Sequence, residues 1–189
     1  AEAIIQEKTL KSLPYKGFAI LYRTNAQSRA MEEALRKLNI PYKLYGGTSF
    51  YQRKEIKDLI SYFRLTYNPN DEEALKRVIN YPRRGIGDTT VEKIIVAADK
   101  NQYRLWDVVA NAQMFLDGRS ATSVGNFATM IQSFQAVGNN SNAFDTAMHI
   151  AQHSGILKDL YEDKSVEGLA RYENIQELLN GIKEFSERE

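Results

Sequence analysis

Gly17-Phe18-Ala19-Ile20-Leu21-Tyr22-Arg23-Thr24-Asn25-Ala26-Gln27-Ser28-Arg29 sets a short apolar run directly before a polar helix start. A continuous run such as Phe18 to Tyr22, bounded by glycine and polar residues, predicts a strand buried on both faces, as in parallel sheets. Thr24-x-x-Gln27 then has capping-box spacing. Met31, Ala34, Leu35 and Leu38 follow on one face at helical spacing, and Pro41 stops that helix. Tyr42-Lys43-Leu44-Tyr45 alternates like a second strand before Gly46-Gly47 turns the chain. Strand, helix, strand is the unit of an α/β domain.

Outward from this unit the pattern becomes helical. Apolar stripes fall at Ile56, Leu59, Ile60 and Phe63, closed by Asn68-Pro69, and at Leu75, Val78 and Ile79, closed by Pro82. A third, at Val91, Ile94, Ile95 and Ala98, is expected to open with the capping box Thr89-x-x-Glu92. Further stripes occur at Phe127, Met130, Ile131 and Phe134, and at Phe144, Ala147, Met148 and Ala151. A last long helix carries Tyr172, Ile175, Leu178, Leu179, Ile182 and Phe185, while Asp117-Gly118 and residues 138–142 read as loops. These stripes are read as core. Two strands are too few for an independent sheet, so the α/β part is expected to draw further strands from outside these residues. The polar start without methionine reads as a cut from a longer protein.

Composition bounds the partners. Lys and Arg number 25 against 24 Asp and Glu, so nucleic-acid contact would have to come from a local patch. The absence of cysteine excludes a disulfide framework and thiolate metal sites, and suits a cytoplasmic setting. No apolar run approaches the roughly 20 residues of a membrane span. His149 and His153 have the spacing of a metal-ligand pair, but Ile150 stands where the zinc-protease pattern needs Glu, so no metal is expected.

Two clusters carry chemistry. Tyr22-Arg23 closes the first expected strand, where parallel α/β sheets bind ligands. There a ring can stack on a base and a guanidinium can reach a phosphate. A Tyr-Arg pair is also an ordinary strand end, and spacing does not choose. Arg83-Arg84-Gly85-Ile86-Gly87-Asp88-Thr89-Thr90 places Gly-x-Gly before a helix, so backbone N–H groups and the helix field can hold an anion. Lys76 and Arg77 add charge one helix earlier. The same string also reads as a helix–helix turn with solvated arginines. Arg53, Lys54 and Lys57 are nearly cancelled by Glu55 and Asp58, the usual sign of a solvated face.

The string at 22–29 resembles motif IV of superfamily 1 helicases of the UvrD/Rep/PcrA type. Residues 42–58, the block Tyr81-Pro82-Arg83-Arg84-Gly85-Ile86-Gly87-Asp88 and the looser Arg171 to Leu178 block resemble that family in the same order. The resemblance implies an α/β, mostly helical fold: an incomplete P-loop NTPase RecA-like domain with a short parallel-strand part, followed by an all-helical segment. Residues 1–112 would be part of the second RecA-like motor domain, 2A, and 113–189 the start of the helical 2B insertion. It further implies that Tyr22 stacks on the adenine of ATP and that Arg23 is an arginine finger and the catalytic residue. Arg83, Arg84, Gly85, Ile86, Gly87 and Thr89 would bind DNA. The parent would be a 3′–5′ DNA helicase of repair or replication, using ATP and Mg²⁺ and acting on single strands and single/double-strand junctions. Its other domains would join in cis. The chain has no G-x-x-x-x-G-K-[ST], so these residues alone are expected not to hydrolyse ATP. Two other readings stand beside this one: a stand-alone helix-hairpin-helix DNA-binding module, and a helical protein-interaction scaffold.

Overall fold

Ile56, Leu59, Tyr62 and Leu65 recur every three residues and are all fully buried, and the helix they define, α3 (Lys54–Tyr67), is the axis of the fold. In the computed structural model, which describes residues 1–24 and 27–187, α4 (Glu72–Val78), α8 (Gly118–Gly138), α9 (Ala143–His153) and α11 (Val166–Ser186) all pack on it. α8 presents Val124, Phe127, Ile131 and Phe134, a helical stripe that is completely covered. Tyr62 and Phe134 meet edge to face with ring centroids 6.4 Å apart. α11 adds Ile175, Leu178 and Leu179.

The remaining helices complete the shell. α5 (Asp88–Asn101), α6 (Leu105–Ala110) and α7 (Ala112–Phe115) lead from the Gly-x-Gly turn to α8, and α10 (Ile156–Glu162) joins α9 to α11. Their ends are set by local chemistry. Asp71 accepts the Ala74 N–H at 3.0 Å to start α4, Asn142 accepts from Asp145 at 2.8 Å for α9, and Ser165 from Gly168 at 2.9 Å for α11. One buried apolar cluster runs from Phe50 to Leu179. Val108, Val109 and Ala112 lie in it together with Ala121, Val124 and Phe127, so the helices on the two sides of residue 112 share a core.

The mostly helical expectation holds, but neither expected strand forms: among the described residues there is none. The apolar run at 18–22 has no neighbour to complete a ladder, and Leu21 is 93 % exposed. The segment 42–45 is equally unpaired. Before it, α2 (Ser28–Lys37) forms where expected, with Leu35 buried. Gln27 does reach back as its spacing suggests, accepting the Thr24 N–H at 3.3 Å and the Arg23 N–H at 3.0 Å. Asn25 and Ala26 lie outside the described residues. The polar start holds a helix, α1 (Glu2–Lys11), which buries nothing. Two boundaries are also corrected. Asp117-Gly118 is a helix start rather than a loop, with Gly118 at φ +56°, and α5 begins at Asp88 behind Gly87, so Thr89 and Glu92 do not form a capping box.

Candidate nucleic-acid interface and nucleotide motif

The Gly-x-Gly turn is built from the inside out. Ile86 is 1 % exposed and seats the turn in the core. Asn80, just before Tyr81, turns its side-chain oxygen toward the loop and accepts two of its amides: Arg84 N–H at 2.9 Å and Ile86 N–H at 3.1 Å. Tyr62 donates its hydroxyl to the Val78 carbonyl at 3.3 Å and to that of Tyr81, fixing the segment that leads from α4 into the turn. Burial in this pocket drives the Tyr62 phenol well above its usual range, against the pull of the Arg84 charge. Gly85 takes φ +76°, a conformation in which a Cβ would be strained, and Ser123 of α8 lies across from it.

The two adjacent arginines part company. Arg83 is exposed. Arg84 turns inward, donating from Nη1 to the carbonyls of Pro82 at 2.9 Å and Val78 at 3.3 Å, and from Nη2 to that of Ser154. Its guanidinium also lies 5.7 Å from the ring centres of both Tyr62 and Phe127. Arg84 therefore stitches the turn to α9 and α8, and Arg83 is left to face solvent.

Beyond Ile86 the loop opens outward. Gly85, Gly87, Asp88 and Thr89 donate their amides to no acceptor among the described residues, and Gly85, Gly87 and Thr89 are exposed. α5 starts here without a side-chain cap, leaving the Asp88 and Thr89 N–H groups and the positive end of its dipole facing solvent. The wider basic patch is smaller than composition suggested. Lys76 pairs with Glu72 at 3.1 Å, and Arg77 with Asp58 at 2.7 Å.

Tyr22 and Arg23 sit ahead of α2, the ring half-buried and the arginine exposed. α2 is bound to the helical body by polar groups. Arg29 donates to Glu177 of α11 at 2.8 Å and to Glu33 at 3.0 Å, and its guanidinium lies where a side chain on Gly181 would stand. Glu32, nearly inaccessible, accepts from Phe50 N–H at 2.9 Å, Tyr42 Oη at 2.9 Å and Ser49 Oγ. Burial opposes its charge, but these hydrogen bonds prevail and hold its carboxyl below the usual range. Arg53, expected on a solvated face, is 9 % exposed and hydrogen-bonded within this seam. Asn80 and Asn174 were not singled out from sequence, and Arg53 was read only as part of a solvated face. Only Asn80 had a local signal, an Asn leading into a Pro- and Gly-rich turn. His149 and His153 stack on each other at 4.0 Å, and His149 meets Phe134 edge on.

The chain as a whole is similar to known proteins. The chain matches, over residues 1–189, the family of the UvrD-like helicase C-terminal domain, and it belongs to that family. It is 40% identical over 169 residues to DNA helicase II of Haemophilus influenzae, covering 88% of this chain and 23% of that protein. It is also 40% identical over 174 residues to the ATP-dependent DNA helicase PcrA of Staphylococcus epidermidis, covering 92% and 24%. The chain thus spans about a quarter of the length of the curated relatives it matches. No helix among the described residues is long and apolar enough to cross a membrane.

Proposed function

We propose that this chain is part of an ATP-dependent DNA helicase, in which it supplies one face of the nucleotide site and a grip on duplex DNA. The observation that carries the DNA assignment is the outward set of amides at Gly85, Gly87, Asp88 and Thr89 beside exposed Arg83, on a loop anchored by Ile86, Asn80 and Arg84. A rigid turn that spends its inward groups on the core and presents donors outward binds phosphate oxygens without reading bases. In this assignment Arg83 supplies the charge, while Arg84 and Ile86 act by holding the loop.

The nucleotide assignment rests on Tyr22 and Arg23. A half-buried ring can stack on adenine, and the exposed guanidinium beside it can reach the transferring phosphoryl group. Such a finger is worth roughly 10³–10⁵ in rate. The phosphate-binding loop and the acids that hold Mg²⁺ belong, in this reading, to the other motor domain, joined in cis. The uncovered apolar side chains of Leu21 and Tyr45, 93 % and 80 % exposed, suit a segment that packs against further domains. Residues 1–112 would then be the motor portion and 113–189 the start of the helical insertion, two portions that here share one core. The enzyme would translocate 3′–5′ on a single strand and act at single/double-strand junctions in DNA repair or replication. Family membership favours this over the stand-alone module and the scaffold.

The test is duplex binding by the full-length protein as a function of salt. Arg83→Ala is expected to weaken binding and to lower the slope of log K against log salt by about 0.9, one phosphate contact. An unchanged slope and affinity would remove the assignment. In parallel, the isolated chain is expected to show no ATP turnover, and sustained turnover abolished by Arg23→Ala would contradict the shared-site reading.

A further inference from the structure

The polar seam beneath α2 is continuous from α11 to the backbone of Arg23. Asn174, 5 % exposed, accepts from Arg53 Nη1 at 2.8 Å and donates its own amide to Glu55 at 2.6 Å. Arg53 Nη2 donates to Ser28 Oγ at 2.8 Å, and its Nε points to the Thr48 carbonyl at 3.4 Å. Ser28 is completely buried and is the first residue of α2. Its neighbour Gln27 accepts the backbone N–H groups of Arg23 and Thr24. The guanidinium thus joins three chain segments, ending at Ser28, Thr48 and Asn174, and stacks 5.2 Å from the Phe50 ring centre. Only a planar fork meets acceptors in these separate directions; a lysine ammonium would satisfy one or two.

We infer that Arg53 is a positioning residue for Arg23, fixing the start of α2, and through Gln27 the Arg23 backbone, against α3 and α11. The inference rests on the reading of Tyr22 and Arg23 as the nucleotide face. A finger acts only if its guanidinium is delivered to the phosphoryl group within a fraction of an ångström, and misplacement by about 1 Å costs on the order of 10²-fold in rate. The exposed Arg23 side chain has no hydrogen bond of its own among the described residues, so its placement comes from the backbone it hangs on.

The experiment uses the full-length helicase and measures steady-state ATP hydrolysis at saturating single-stranded DNA, with duplex affinity alongside. Arg23→Ala is expected to lower kcat by roughly 10³-fold or more. Arg53→Lys, which keeps the charge and loses the fork, is expected to lower kcat about 10- to 100-fold. Its KM for ATP should stay within about threefold and its duplex affinity unchanged, because the Gly85–Thr89 loop is untouched. Ser28→Ala, which removes only the hydroxyl that accepts from Arg53 Nη2, moves kcat in the same direction by less. The double variant Arg23→Ala/Arg53→Lys should be no slower than Arg23→Ala alone, since both act through one group. Wild-type kcat in both Arg53→Lys and Ser28→Ala, or losses that multiply in the double variant, overturns the inference while Arg23 keeps its role. A wild-type kcat in Arg23→Ala overturns the underlying reading instead.

Discussion

Replacing Asn80 with alanine removes one oxygen and frees two amides. That oxygen accepts from Arg84 N–H and Ile86 N–H, at 2.9 and 3.1 Å, and no other group among the described residues takes those donors. A net hydrogen bond in a folded protein contributes about 1 kcal/mol, and an unsatisfied buried donor costs about 1–3 kcal/mol. Asn80 is half-buried, so water can recover part of the loss. The expected destabilisation is therefore about 2 kcal/mol. In urea the midpoint should fall with the slope unchanged, because the surface exposed on unfolding is the same. The same loss should appear in function. A loop that must be ordered on binding forfeits preorganisation, so duplex affinity of the full-length protein should drop about tenfold or somewhat more, with the salt slope preserved because the phosphate contacts still form. Asn80→Asp separates the two effects: it keeps the acceptor, holding stability near wild type, and adds a negative charge that weakens DNA binding. Wild-type urea midpoint and wild-type duplex affinity in Asn80→Ala would refute the view that this side chain organises the loop.

Three further outcomes are expected. Arg84→Ala should destabilise the chain by roughly 2–4 kcal/mol in urea unfolding, since three carbonyls lose a charged donor, whereas Arg83→Ala should stay within about 0.5 kcal/mol; equal effects would contradict the inward and outward assignment. Glu32→Gln should be less stable than wild type at pH 7 by about 1–3 kcal/mol. Because the Glu32 carboxyl is depressed in the folded state, its contribution is present above the ordinary value of 4.5 and is lost as pH falls through the lower folded value, so the two unfolding curves should converge in acid. A gap that persists unchanged to pH 2–3 would show that the charge is not the cause. Gly168→Ala should lower the melting temperature by several degrees, because the added methyl meets the Asp163 carbonyl and side chain in the first turn of α11; a raised melting temperature would mean that helix propensity outweighs the clash.

Helix positions were legible where one face is apolar at a fixed period. Val124 to Phe134 and Ile175 to Leu179 repeat at 3.6 residues and are buried as the spacing requires. The run Phe18 to Tyr22 has the composition of a buried strand, but composition carries no partner, and a strand exists only through a neighbour's N–H and C=O groups. The loop at 83–89 was visible through its glycines, which encode backbone geometry locally. The division of labour between Arg83 and Arg84 was not, because it depends on the Ser154 carbonyl and on Tyr62 and Phe127, distant in sequence. Arg53 was hidden for the same reason: beside Glu55 and Asp58 it reads as one charge among several, and only Asn174 and Ser28 make it a buried fork.

The opposite orientations of Arg83 and Arg84 give two neighbouring letters different tolerances to drift. Under the proposed DNA role, position 83 needs only a side chain that carries a positive charge into solvent, so lysine is an acceptable replacement. At position 84 the requirement is a flat donor set that reaches three carbonyls and lies between two rings. A screen of all twenty residues at both sites should therefore return a permissive, charge-selected profile at 83 and a restrictive, shape-selected one at 84. A designer transplanting this turn onto another scaffold would need to carry Tyr62, Phe127 and the Ser154 carbonyl with it, since the seven-residue string without them lacks its foundation.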